Sequence, residues 1–181
     1  MKKTVLTCGI ISGLIVTAIM TTSMVYYRNN PGQVSNSSAM VIGYLSMLIA
    51  FALIYVGIKR YRDNENAGTI SFGKAFRIGL LIALIASTMY LVAWALLYNL
   101  YMPDYMDRYA EQIIKQAAPG TTAAQLAETK AKMESYKQLY RSPLYFTLMT
   151  YAEILPVGML VSIICAFILK RRKREAEVAL A

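Results

Sequence analysis

The sequence predicts an all-α integral membrane protein: four transmembrane helices, with an extracytoplasmic helical hairpin between helices 3 and 4. Three observations predict it. Of 181 residues, 57% are hydrophobic and only 16% charged, against about 25% charged in soluble domains. The apolar residues gather into four runs, each long enough for a hydrocarbon core of about 30 Å, which takes about 20 residues of helix. The basic residues behind the formal net charge of +9 cluster at the ends of those runs. The whole chain, 1–181, reads as a single membrane domain.

The first span, about 5–27, carries no charge. It follows Lys2 and Lys3 as a signal peptide would. Its apolar run exceeds the roughly 7–15 residues of a signal h-region, and no small-x-small cleavage site follows, so it is read as retained. Gly9, Gly13, Thr17 and Thr21 recur every four residues and give this helix one narrow face for close packing. The second span, about 39–58, is also uncharged. The third, about 72–101, has Lys74 and Arg77 in its first two turns and a small-residue stripe of Ala75, Gly79, Ala83 and Ser87. In the fourth, about 144–169, Gly158, Ser162 and Ala166 continue the theme. These stripes suit a tight four-helix bundle or a homo-oligomer.

The segment of about 102–143 reads as the hairpin. Tyr105, Tyr109 and Ile113 repeat every four residues, Pro119-Gly120 breaks the chain, and Thr122 with Gln125 has the spacing of a capping box. Leu126, Met133, Tyr136 and Tyr140 then form an apolar stripe, with Lys130, Lys132, Glu134 and Lys137 as solvated charges between them. Tyr98, Tyr101 and Tyr145 are expected at the outer interface, where an apolar ring with a polar tip is favoured.

Orientation follows from Lys and Arg. With both termini cytoplasmic, inner segments hold 12 of the 19 basic residues, including Lys59-Arg60 and the run Lys170 to Arg174. Arg60, Arg62, Lys74 and Arg77 are expected to face anionic headgroups. These charges flank spans and form no independent folded face, so no nucleic-acid partner is expected. Asp63 to Gly68 resembles a calcium loop, but Ala67 and Lys74 stand where oxygen ligands are needed. Ser71 or Thr69 is placed to cap the third span.

Catalysis finds little to work with. The chain has no histidine and two cysteines, Cys8 and Cys165. These read as small, reduced, packed residues. No metal, no cofactor and no enzymatic constellation is expected. The one ionisable residue deep in a span is Glu153, with Pro156 three residues on. A carboxylate there costs several kcal/mol unless it is paired or protonated. Thr17, Thr21, Ser46, Ser87, Thr88 and Tyr90 are the expected hydrogen-bond partners, in a kinked, locally polar spot.

Gly57 to Asp63, then Gly68 to Phe76, together with Glu153, Pro156, Gly158 and Ser162 before a basic end, resemble the bacterial family called domain of unknown function 4199. The resemblance covers most of the chain. It implies a four-span inner-membrane protein with no established activity, and it draws attention to Tyr61, Arg62, Asp63, Phe72 and Lys74 in the inner loop. The leading expectation is a small non-enzymatic scaffold or accessory component acting through helix packing, alone or with a membrane protein partner. The alternative is a small carrier using Glu153 as an intramembrane proton or cation site.

Overall fold

Polar and glycine-containing breaks set where the helices stop. A computed structural model describes residues 1–30, 36–117 and 120–171. The loop around Gln33, the break at Pro119 and the basic residues Arg172 to Arg174 lie outside them. Among the described residues there are six α-helices and no strand: α1 Lys2–Asn29, α2 Asn36–Arg60, α3 Phe72–Leu96, α4 Tyr105–Ala117, α5 Ala123–Tyr140 and α6 Pro143–Leu169. Wider π-type turns, Tyr61–Glu65 and Leu97–Tyr101, prolong α2 and α3. Four helical stretches are long and apolar enough to cross a membrane: Lys2–Asn29, Ser38–Glu65, Phe72–Tyr101 and Pro143–Leu169. The second outruns its expected end at 58. Nothing stops it before Asn66, after which Ala67 and Gly68 take positive φ, +49° and +71°. That conformation ends a helix and is cheap only for glycine.

The chain forms two compact units. The first comprises Met1–Ala93 and Tyr151–Ala181. Its core is aliphatic and drawn from α1, α2, α3 and α6: Val16, Phe51, Ile54, Ile58, Ile78, Ile82 and Ile154 are fully buried. The small residues let these helices close. A Cβ built on Gly9 would sit 2.9 Å from Ile85, and one on Gly13 2.4 Å from the Met89 sulfur. On Gly79 it would meet the Ser162 Cβ at 2.8 Å, and on Gly158 the Ala83 Cβ at 2.6 Å. At Gly9, Gly79 and Gly158 the neighbour is a Cβ fixed to its own backbone, so glycine is required there; at Gly13 it is the far end of a flexible side chain. Gly57, from no expected stripe, is seated as closely against Ile82, at 2.6 Å.

Buried hydroxyls in this unit bond mainly to their own helices. Ser87 donates to the Ala83 carbonyl at 2.8 Å and Ser162 to that of Gly158 at 2.7 Å. Ser46 donates to the Gly43 carbonyl at 2.6 Å. Ser12 reaches from α1 to the Ala50 carbonyl of α2, 2.6 Å away, and the exposed Thr88 shares a 2.8 Å bond with the Tyr151 hydroxyl. Cys8 and Cys165 are free and buried.

The second unit is Trp94–Thr150. In α4 the buried side chains are Met106 and Ala110, with Met102 just before them. The deepest positions are thus one residue round from the four-residue repeat of Tyr105, Tyr109 and Ile113, of which Tyr105 and Ile113 are half-buried and Tyr109 is exposed. Methionine and alanine fill the contact, and both are weaker signals in sequence than tyrosine. Helix α5 starts with the expected capping box: the Thr122 amide donates to Gln125 Oε1 at 3.1 Å, and the Gln125 amide to Thr122 Oγ1 at 3.3 Å. Its half-buried face is Leu126, Thr129, Met133, Lys137 and Tyr140. Tyr136 points outward, 45% exposed. Lys137 is no free solvated charge. Its ammonium lies 2.6 Å from Asp107 of α4, and that bond holds it above the ordinary lysine range. Trp94, Tyr98, Tyr105, Tyr140 and Phe146 pack ring on ring, with Trp94 and Tyr105 centroids 4.9 Å apart and those of Tyr98 and Phe146 5.3 Å apart. Tyr98 is thus a packing residue, which its expected place at an interface did not suggest.

Candidate functional site

Two places in the first unit gather the residues that sequence reasoning singled out. One is the α2–α3 loop. Tyr61 is buried, and the Lys74 ammonium sits 5.0 Å above its ring. Lys74 also donates to the Asn66 side-chain carbonyl at 3.1 Å. Arg62 holds Asp63 through two bonds, of 2.7 and 3.3 Å, and donates to the Leu169 carbonyl at 3.4 Å. Beside it, Ile70 and Arg171 exchange two backbone hydrogen bonds of 2.9 Å, a single antiparallel pair. Phe72 packs on Phe167 with ring centroids 4.6 Å apart. Ser71, not Thr69, caps α3, through a 3.4 Å bond from the Lys74 amide.

The motif therefore ties the loop to the end of α6. A helix end leaves carbonyls without partners, and the Arg62 guanidinium satisfies the last of them. Of the four basic residues expected to face outward, Arg62 is half-buried and bonded within the molecule, and Lys74, though exposed, is held by Asn66 and Tyr61. Arg60 and Arg77 remain exposed. Glu65 accepts from the Thr4 hydroxyl and pairs with the amino group of Met1, which joins α1 to the same end. Neither this contact nor the Ile70–Arg171 pair was foreseen. Backbone pairing by two residues leaves no side-chain pattern to read.

The second place is the outward face of α6. Glu153 is exposed, with Ala152, Pro156 and Leu160 exposed around it. Among the described residues it has no hydrogen bond or ion pair. This corrects the expected partnership with interior hydroxyls: Ser46, Ser87 and Thr88 bond to carbonyls of their own helices, and the Thr17 hydroxyl is buried without a partner. The helix runs unbroken through Pro156, whose ring nitrogen cannot donate to the Ala152 carbonyl. An acid and an unserved carbonyl thus lie next to each other on one apolar surface.

The sequence held a sign of this direction. Gly158 faces inward, and Glu153 lies five residues before it. At about 100° per residue that is about 500°, or about 140° round the helix. Depth could be read from position. Azimuth needed the small-residue stripe as its reference.

A helical chain with four apolar stretches of membrane-crossing length, a tied loop at one end and a lone outward acid in its last helix defines a class by architecture and by no activity. Among the described residues no group of three or more acidic or cysteine side chains could hold a metal ion. The chain belongs to the family described as "Protein of unknown function (DUF4199)", whose model matches residues 7–171. No curated protein and no solved structure matches it.

Proposed function

We propose that the chain is a four-span protein of the bacterial inner membrane, both termini cytoplasmic, that acts without catalysis as an accessory component by packing against another transmembrane helix. The observation that carries this reading is the position of Glu153. It begins the eleventh position of a helix spanning Pro143–Leu169, about 15 Å from that helix's first residue at 1.5 Å per residue. In a bilayer this is mid-depth. A carboxyl group facing acyl chains is costly, and such groups turn toward a partner.

The partner's chemistry follows from the surface. A neighbouring helix that brings a hydroxyl, amide or amine to this depth satisfies the Glu153 carboxyl and the Ala152 carbonyl together, and Ala152 and Pro156 let it approach closely. The basic flanks support the orientation, since Lys59 and Arg60 stand in the last turn of α2 and Lys170-Arg171 follow the fourth stretch directly. A carrier mechanism would need Glu153 inside, facing a water-filled path, and its outward direction gives that no support.

The experiment places a photo-crosslinking residue at 153 in native membranes, with Leu84 of α3, also exposed, as the control site. A discrete protein adduct at 153 and lipid adducts alone at 84 are expected. Glu153→Gln should keep the complex on a native gel and Glu153→Leu should lose it. A wild-type chain migrating at its own 20.2 kDa with only lipid adducts at 153 defeats the proposal.

A further inference from the structure

A groove of about 350 Å³ runs along the outer side of α2 and its π-type extension, lined by Tyr55, Val56, Lys59, Arg60, Asp63 and Asn64. We infer that it seats the phosphate headgroup of an anionic glycerophospholipid. The inference rests on the reading of α2 as membrane-spanning.

It is an open depression on one helix face, shaped to hold a headgroup at the surface and not to enclose a ligand. Lys59 and Arg60 make no hydrogen bond or ion pair among the described residues, so their donors are open to an anion. The acid at the rim, Asp63, is already held through both oxygens by Arg62, which leaves the groove positive. The Tyr55 phenol and the Asn64 amide add neutral donors, and guanidinium with ammonium is a strong donor set for phosphate oxygens.

A lipid, not free phosphate, is the occupant this surface fits. On the same side of α2, Leu45, Leu48, Ile49 and Val56 are exposed, at the three- and four-residue steps that line one helix face. A headgroup at Lys59 and Arg60 would lay its acyl chain on that stripe. Inorganic phosphate would make no use of it.

The test uses the full chain in mixed micelles containing equal phosphatidylglycerol and phosphatidylcholine, with retained lipid counted by native mass spectrometry. Each basic group near the surface is worth about fivefold in binding, so retention of phosphatidylglycerol should exceed that of phosphatidylcholine by about twenty-five-fold. Lys59→Gln with Arg60→Gln should erase the preference. Arg77→Gln with Lys170→Gln, the same charge removed from exposed positions elsewhere, should change it less than twofold. Equal loss in both pairs means diffuse attraction and overturns the site. Millimolar inorganic phosphate that displaces the lipid completely overturns the lipid assignment.

Hydrogen exchange on the wild-type chain needs no variant: phosphatidylglycerol should slow exchange at 60–64, and unchanged exchange there counts against the seat. Carbonate extraction separates the two levels. An extractable chain fails the membrane reading, whereas an integral chain indifferent to lipid charge fails only this inference.

Discussion

Replacing Gly158 with alanine should destabilise the four-helix unit more than the same change at Gly13, although the shorter distance is at Gly13. At Gly158 the new Cβ would lie 2.6 Å from the Cβ of Ala83 and 3.0 Å from the Phe51 ring. A Cβ is fixed to its backbone, so α3 and α6 must part by about 1 Å to restore ordinary carbon contact at about 3.5–4.0 Å. A gap of 0.5–1 Å forfeits a quarter to a half of each dispersion well along the seam, and overpacking of this kind costs about 1–3 kcal/mol. At Gly13 the contact under 3.0 Å is the Met89 sulfur, at 2.4 Å, the far end of a flexible chain that can turn away. Gly13→Ala should therefore cost under about 1 kcal/mol. Gly73, with nothing within 4 Å, should gain a few tenths from the same change. Thermal unfolding of each variant in one detergent measures the order. If Gly13→Ala proves the worst, or Gly73→Ala falls as far as Gly158→Ala, close α3–α6 contact is not what holds this unit.

Reporter fusions at Gln33 and at Gly120 should both report an external location, and a cytoplasmic signal at either reverses the proposed topology. Thr122→Ala should remove the capping box and cost α5 about 1 kcal/mol, read as faster amide exchange over its first turn; unchanged exchange would show the cap to be idle. The Lys137–Asp107 contact should depend on pH in one direction. Because the folded lysine is held above its ordinary range, its contribution is full below that range and fades as pH rises through the raised value. Amide exchange in α5 should therefore quicken in strong alkali for the wild type but show no such added step in Lys137→Met. Identical alkaline profiles would remove that pair from the account.

The gross fold was legible because its causes are written in composition. Long uncharged runs mark the four apolar helices, and Asn66-Ala67-Gly68 and the Thr122 cap mark where helices end or begin. The finer placement depended on phase, which an evenly apolar helix hides. In α6 both faces are aliphatic, so the depth of Glu153 was plain while its direction had to be taken from Gly158 and Ser162. In α4 the prominent tyrosines drew attention from Met106 and Ala110, which pack beside Tyr105 while Tyr109 stays exposed. The inner-loop motif was visible as residues but not as a tie, since its partner, Leu169, contributes only a backbone carbonyl.

The pairing of Ile70 with Arg171 bears on the order of assembly. The two residues are about a hundred positions apart in the chain, and contacts of such separation form late because a long loop must close first. Neither bond can exist until the last apolar helix lies beside the first three. A chain arrested before α6 is in place would leave Ile70 and the Arg62 guanidinium without these partners, so the tie is a mark of completed assembly, and protection of the Ile70 amide would time that event.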